Sequence, residues 1–173
     1  MCTPFPMIKD KEKLTISQNK IYSDIVSELE DGKSVAMLTI GDPSVYSTYM
    51  YIHKRVMQAG FTAVMISGVP SFCAAAARLG ISLGEMMDEI HIIPASYDVR
   101  VTVGYGGTCV YMKSGKKLAE LIEVLRTGDA IRKKKMTVYG VTNCGMESER
   151  VYRGLDELTE AKGYLTIVIV KYS

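Results

Sequence analysis

The chain has 173 residues, 47% of them hydrophobic and 23% charged, with a formal net charge of +2; this suits one domain or two small lobes with a sizeable core and excludes a disordered chain. So small a charge gives no electrostatic case for nucleic acid, and apolar runs such as residues 165–170 fall far below the roughly 20 residues that span a bilayer, so no membrane passage is expected. The opening residues carry prolines and lysines without an apolar segment, so no signal peptide is expected and the cytoplasm is the default location.

Thr15 and Gln18 have capping-box spacing, and Ile21, Ile25 and Leu29 recur at helical spacing before Gly32, which predicts a first helix. Residues 34–40 read as a buried strand. Val45, Tyr49, Ile52 and Val56 line one face of a second helix, and residues 62–66 form another strand. Strands alternating with helices argue for an α/β fold with parallel pairing. Residues 74–79 are a short helix and 89–93 a strand ending at Pro94; Pro94-Ala95-Ser96 is the expected hinge, dividing lobes 1–95 and 96–173. Beyond it come a strand at 108–112, an amphipathic helix at 116–126 with Leu118, Leu121, Ile122 and Leu125 inward, a strand at 136–141, and a run at 165–170 that is expected to close a second sheet.

Two junctions carry the chemical signal. Leu38-Thr39-Ile40-Gly41-Asp42-Pro43-Ser44-Val45-Tyr46-Ser47 and Ser67-Gly68-Val69-Pro70-Ser71-Phe72-Cys73-Ala74 each join an apolar run to the start of a helix. Glycine lets another group approach the backbone, and free N–H groups at a helix start attract a carboxylate or phosphate. Asp42 or Ser44 can cap the helix that follows. Taken alone, Gly-Asp-Pro marks a turn.

Cys2, Cys73, Cys109 and Cys144 form no C-x-x-C pair, and His53 and His91 stand in no metal motif, so neither a disulfide framework nor a protein-bound metal is expected. His53 reads as a helix-face residue beside Tyr49 and Met57, and His91 as a strand residue. Arg132, Lys133, Lys134 and Lys135 follow a helix expected to end near Gly128, where cations suit its carboxyl end; contact with a polycarboxylate is the other reading.

As a set, these motifs resemble the tetrapyrrole methylases. The Gly41-Asp42-Pro43 loop with Val45 after it, then Ser67-Gly68-Val69-Pro70-Ser71, match in order the two loops with which that family wraps S-adenosylmethionine. Cys109-Val110-Tyr111-Met112-Lys113 matches the strand whose methionine touches the cofactor. Val141-Thr142-Asn143-Cys144-Gly145-Met146-Glu147 matches a later cofactor loop, and residues 164–171 fit the last strand. Phe5-Pro6-Met7 with residues 38–46, 67–77, 92–97 and 143–152 is most similar to the branch that methylates C-20 of precorrin-2 or of cobalt-factor II in cobalamin biosynthesis.

The resemblance implies a two-lobed α/β tetrapyrrole methylase-like fold, S-adenosylmethionine as cofactor, a small-molecule tetrapyrrole as substrate and a homodimer. Family members open with a strand and a Gly-x-Gly-Pro-Gly-Asp loop that has no counterpart before Phe5. The fold is therefore expected to be truncated at the N-terminus, leaving a sheet edge unpaired; the stretch from Tyr97 to Thr108 also looks short. A second reading is a catalytically incompetent methylase-like module that binds or dimerises. A nucleotide-binding domain is the third, but G-x-G-x-x-G after a strand and G-x-x-x-x-G-K-[ST] are both missing.

By position, the resemblance implies cofactor contacts at Ile40, Gly41 and Asp42 through the backbone, with Val45 just inside the following helix. Pro70 and Ser71 match the second loop, where a hydroxyl and helix-start N–H groups would hold the methionine carboxylate. Met112 would pack on the adenosine, Cys144 would contact through its backbone where the family often has glycine, and Leu165 would contact adenine. Methyl transfer from a sulfonium to an electron-rich meso carbon needs positioning and no nucleophilic side chain. No residue is identified as the proton-accepting base. Tyr46 and Tyr49 line the cleft or the core.

Overall fold

A computed structural model describes residues 10–94, 98–102, 105–132 and 135–172. Its chain divides into two compact units, Met1–Val69 and Pro70–Ser173. The strand ending at Pro94 is hydrogen-bonded into the second unit's sheet. Pro94 closes that strand, and Ala95 and Ser96 lie outside the described residues.

In the first unit, helix α1 spans Lys11–Glu30 and begins before the expected capping box. Asp10 is the cap, its carboxylate accepting the Glu12 and Lys13 amides at 3.0 and 3.2 Å. Thr15 lies inside the helix and donates its hydroxyl to the Lys11 carbonyl at 2.9 Å. An earlier acidic cap satisfies the orphan N–H groups that the threonine was expected to serve. Helix α2 spans Tyr49–Gln58. Ile52 and Val56 pack with Ile21 of α1, with Ile25, Leu29, Met37 and Phe61 around them. Arg55 pins the pair, stacking 4.0 Å over the Tyr22 ring and donating to Asn19 at 3.0 Å.

Residues 34–40 and 62–66 are not strands. Both runs are apolar, but a parallel strand is stable only between ladder neighbours, and the two do not pair with each other or with any other described residue.

The second unit opens with helix α3, Ser71–Leu79, three residues ahead of the expected start because Pro70 caps it with φ −57°. Its strands are β1 (Ile90–Pro94), β2 (Thr108–Met112), β3 (Met136–Thr142), β4 (Arg150–Arg153) and β5 (Thr166–Tyr172). They form one sheet in the order β1-β2-β5-β3-β4. Strand β1 pairs parallel with β2, and the other three ladders are antiparallel. The loop at 143–149 is too short for a parallel crossover, so β4 folds back on β3. Helices α4 (Val99–Thr102), α5 (Leu118–Arg132) and α6 (Leu155–Leu158) complete the unit. Leu118, Leu121, Ile122 and Leu125 of α5 are buried as their spacing predicts, in a core with Val168, Val170 and Leu158. Helix α5 passes Gly128, so Arg132 belongs to it; Lys133 and Lys134 fall outside the described residues.

Candidate functional site

The first-unit loop is organised by one carboxylate. Asp42 Oδ1 accepts the Ser44 amide at 2.9 Å and the Ser44 hydroxyl at 2.5 Å, and Oδ2 accepts the Gly68 amide at 2.9 Å. The Ser44 hydroxyl, then the Ser44 and Gly68 amides, hold this carboxyl below its usual range. Neither Asp42 nor Ser44 caps α2, which begins later than expected. Its N-cap is Thr48, which makes no side-chain capping bond, and the Ser47 Oγ just before it accepts the Tyr49 amide at 3.2 Å. Val45, expected just inside the helix, precedes it and closes a turn on the Asp42 carbonyl at 3.2 Å.

Gly41 has φ +85°, a conformation that favours glycine. A Cβ at Gly68 would overlap the Gly41 carbonyl oxygen, so the two loops approach as closely as backbone allows. Ile40 is 86% exposed beside them. Tyr46 also has positive φ, at 50°, and Tyr49 is half-buried with its hydroxyl 3.0 Å from His53 Nδ1.

In the second unit, α3 starts without a side-chain cap. The Pro70 carbonyl takes the Cys73 and Ala74 amides, while the Ser71 and Phe72 amides meet no acceptor among the described residues. Such a start presents N–H groups to an anion.

The sheet directions bring the remaining candidates to one end. Strands β1, β2 and β3 all finish where β5 begins. Met112 lies there opposite Pro94 and is 6% exposed. The Asn143 amide donates to the Leu165 carbonyl at 3.0 Å, placing Cys144 and Leu165 in adjacent turns. Burial first, and the Glu149 carboxylate second, push the Cys144 thiol up, so it stays protonated and unreactive at neutral pH. Leu165, at 44% exposure, is open to solvent.

Glu149, which sequence reasoning passed over, holds the 143–149 loop. Its Oε2 accepts the Gly145 amide at 2.7 Å, and its Oε1 pairs with Arg78 Nε of α3. Those contacts, the Gly145 amide first, hold its carboxyl below the ordinary value of 4.5. The Asn143 side chain donates to Ser148 at 2.9 Å, and both Asn143 and Gly145 have positive φ. The Asn-x-Gly pattern carried a turn signal; nothing local marked Arg78, whose partner lies 71 positions away.

Ile40, Gly41, Asp42 and Val45 thus belong to the first unit, and Pro70, Ser71, Met112, Cys144 and Leu165 to the second. Among the described residues, no helix is long and apolar enough to cross a membrane.

Residues 2–159 match the model of the Tetrapyrrole (Corrin/Porphyrin) Methylases. A protein of Methanocaldococcus jannaschii named Probable cobalt-precorrin-2 C(20)-methyltransferase is 34% identical over 172 residues, covering 96% of this chain and 70% of the relative. The cobalt-precorrin-2 C(20)-methyltransferase of Salmonella typhimurium is 29% identical over 92 residues, 53% of this chain and 38% of that protein. Among solved structures, the cobalt precorrin-4 methyltransferase CbiF aligns with TM-score 0.75 at 16% identity, over 89% of this chain and 70% of its own. A Thermus thermophilus uroporphyrin-III C-methyl transferase complexed with S-adenosyl homocysteine aligns with TM-score 0.68 at 18% identity, over 89% and 73%. These structural likenesses bear on the fold.

Proposed function

The chain belongs to the tetrapyrrole (corrin/porphyrin) methylase family, and from that premise we propose that it serves S-adenosylmethionine-dependent methylation of precorrin-2 or its cobalt-containing counterpart at C-20, in cobalamin biosynthesis. The observation that carries this reading is the 34% identity, over 96% of the chain, to the archaeal relative named for that reaction.

The donor supplies an activated methyl group on a sulfonium, so the protein's part is to bind and orient. The exposed backbone at Ile40 and Gly41 suits the close approach of a flat ligand. Asp42 is the residue that keeps that backbone in place, through Ser44 and Gly68. Val45 contributes an apolar side chain after the turn. The uncapped start of α3 at Pro70 and Ser71 suits the donor's carboxylate. Met112, Cys144 and Leu165 share one end of the sheet and suit the adenosine, through a soft side chain and through backbone. A cytoplasmic homodimer completes the proposal.

Isothermal titration with S-adenosylhomocysteine tests the cofactor reading, alongside a Gly41→Arg variant that blocks the backbone approach. Binding lost in the variant supports the reading. Methylation of the tetrapyrrole, followed by mass spectrometry, then tests turnover; a folded chain that binds the nucleoside yet leaves both substrates unmethylated is a binding module. Residues 34–40 and 62–66, unpaired among the described residues, are the observation that favours this second reading.

A further inference from the structure

Strands β2 and β3 flank β5, and the first residue after each has positive φ. Lys113 follows β2 with φ 58°, and Asn143 follows β3 with φ 51°. The two turns clasp the segment that leads into β5. On one side the Asn143 amide donates to the Leu165 carbonyl at 3.0 Å. On the other, a Cβ at Gly115 would overlap the Gly163 carbonyl oxygen, so the turn after Lys113 lies backbone to backbone against residues 163–164. Ser114 is fully buried and donates its hydroxyl to the Tyr111 carbonyl at 3.0 Å, while the Lys117 amide closes the turn on the Ser114 carbonyl at 2.9 Å.

The two turns differ in the residue that makes them. Asparagine visits the left-handed region readily, whereas lysine is disfavoured there. Glycine or asparagine would form the Lys113 turn with less strain, so the backbone supplies no reason for a lysine and the side chain must supply it. That side chain is exposed. It follows Met112, at the end of the sheet that also holds Cys144 and Leu165. Lys116 is exposed in the same turn, and Lys117 pairs with Glu120 at 3.7 Å.

We propose that Lys113 is a substrate-recognition residue, whose ammonium pairs with a carboxylate of a polycarboxylate tetrapyrrole. This assignment rests on the methylase reading above. A cation beside the sulfonium would repel the donor, so the positive charge belongs with an anion at the periphery of the reacting groups. The donor's own carboxylate is one such anion, but the start of α3 already offers it N–H groups. The acid side chains of the acceptor are the other. An ammonium suits them as a point charge, and a turn held by backbone packing loses little freedom when they bind.

The test titrates the chain and its variants with uroporphyrin III, a polycarboxylate tetrapyrrole followed by its absorbance, and separately with S-adenosylhomocysteine. Lys113→Gly suits the positive φ and removes the charge. Its porphyrin affinity is expected to fall by about tenfold, the scale of one charge-assisted hydrogen bond, with a shallower salt dependence. Its melting temperature and its affinity for the nucleoside are expected to hold. Lys113→Arg keeps most of the porphyrin affinity. Lys171→Gln removes the same charge from the far end of β5, opposite the start of β2, and leaves the affinity unchanged. Equal porphyrin affinity in the parent and Lys113→Gly would overturn the proposal, as would an equal loss in Lys171→Gln. A matching loss of S-adenosylhomocysteine affinity would assign the lysine to the donor, and a lowered melting temperature would assign it to the fold; either overturns it. A parent that binds the nucleoside but no porphyrin would overturn the substrate reading and this proposal together, which tells that failure apart from the loss of Lys113's role alone.

Discussion

The Asp42 carboxylate accepts the Gly68 amide at 2.9 Å, so one side chain ties together two glycine loops that lie 26 positions apart. The same carboxylate accepts two bonds from Ser44. Substituting Asp42→Ala removes all three. We expect S-adenosylhomocysteine affinity to fall by about tenfold or more, the effect of releasing a preorganised loop, with Asp42→Asn falling less. Titration calorimetry reads both; affinity unchanged in Asp42→Ala would remove the loop from the site.

Gly68 permits that closeness. A Cβ there would overlap the Gly41 carbonyl oxygen, which is backbone and has no rotamer to yield. Gly68→Ala is expected to weaken nucleoside binding while leaving the urea midpoint of the second unit in place, since Gly68 belongs to the first. Hydrogen exchange read segment by segment across the urea series would separate the two units.

Glu149 and Arg78 join the 143–149 loop to α3. The carboxyl pKa lies below its ordinary 4.5 when folded, so the pair's contribution is fully present above that value and is lost as pH falls through the lower, folded one. The melting temperature of Glu149→Gln is therefore expected below that of the parent at pH 7, with the gap closing as pH drops below 4.5. A gap that widens with acid would contradict the assignment.

Tyr111 is fully buried, with its hydroxyl 2.8 Å from Thr102 Oγ1, and burial pushes the phenol up so that it stays neutral. Thr102 retains a bond to the Val99 carbonyl at 2.6 Å. Tyr111→Phe should accordingly cost only about 0.5–1.5 kcal/mol. Leu121→Ala, in the same core at 1% exposure, should cost about 2–5 kcal/mol. Chemical denaturation of both would check that ordering.

Much of the second unit was legible because its elements carry their own signals. Residues 108–112 and 166–170 are fully buried runs, and α5 repeats leucine at helical spacing. Strand β4 was missed because Arg150-Val151-Tyr152-Arg153 is short, polar at both ends and defined only by pairing with β3. Residues 34–40 and 62–66 show the opposite failure. Their apolar pattern states what environment the chain needs, but pairing is a property of two segments and cannot be read from one. The glycine loops were legible as backbone chemistry, whereas Asp42 was read as a helix cap because local capping and a bond to a distant loop use the same carboxylate.

Strand β5 lies in the middle of the sheet, between β2 and β3, although it is made after both. A nascent chain therefore holds β2, paired parallel with β1, and β3, paired antiparallel with β4, as two separate pieces, each with an edge awaiting the same partner. Order of synthesis and order in space run against each other here, so assembly of this sheet is an all-at-once event of high contact order. The interval before β5 emerges is when the chain is most exposed to aggregation and most in need of a chaperone.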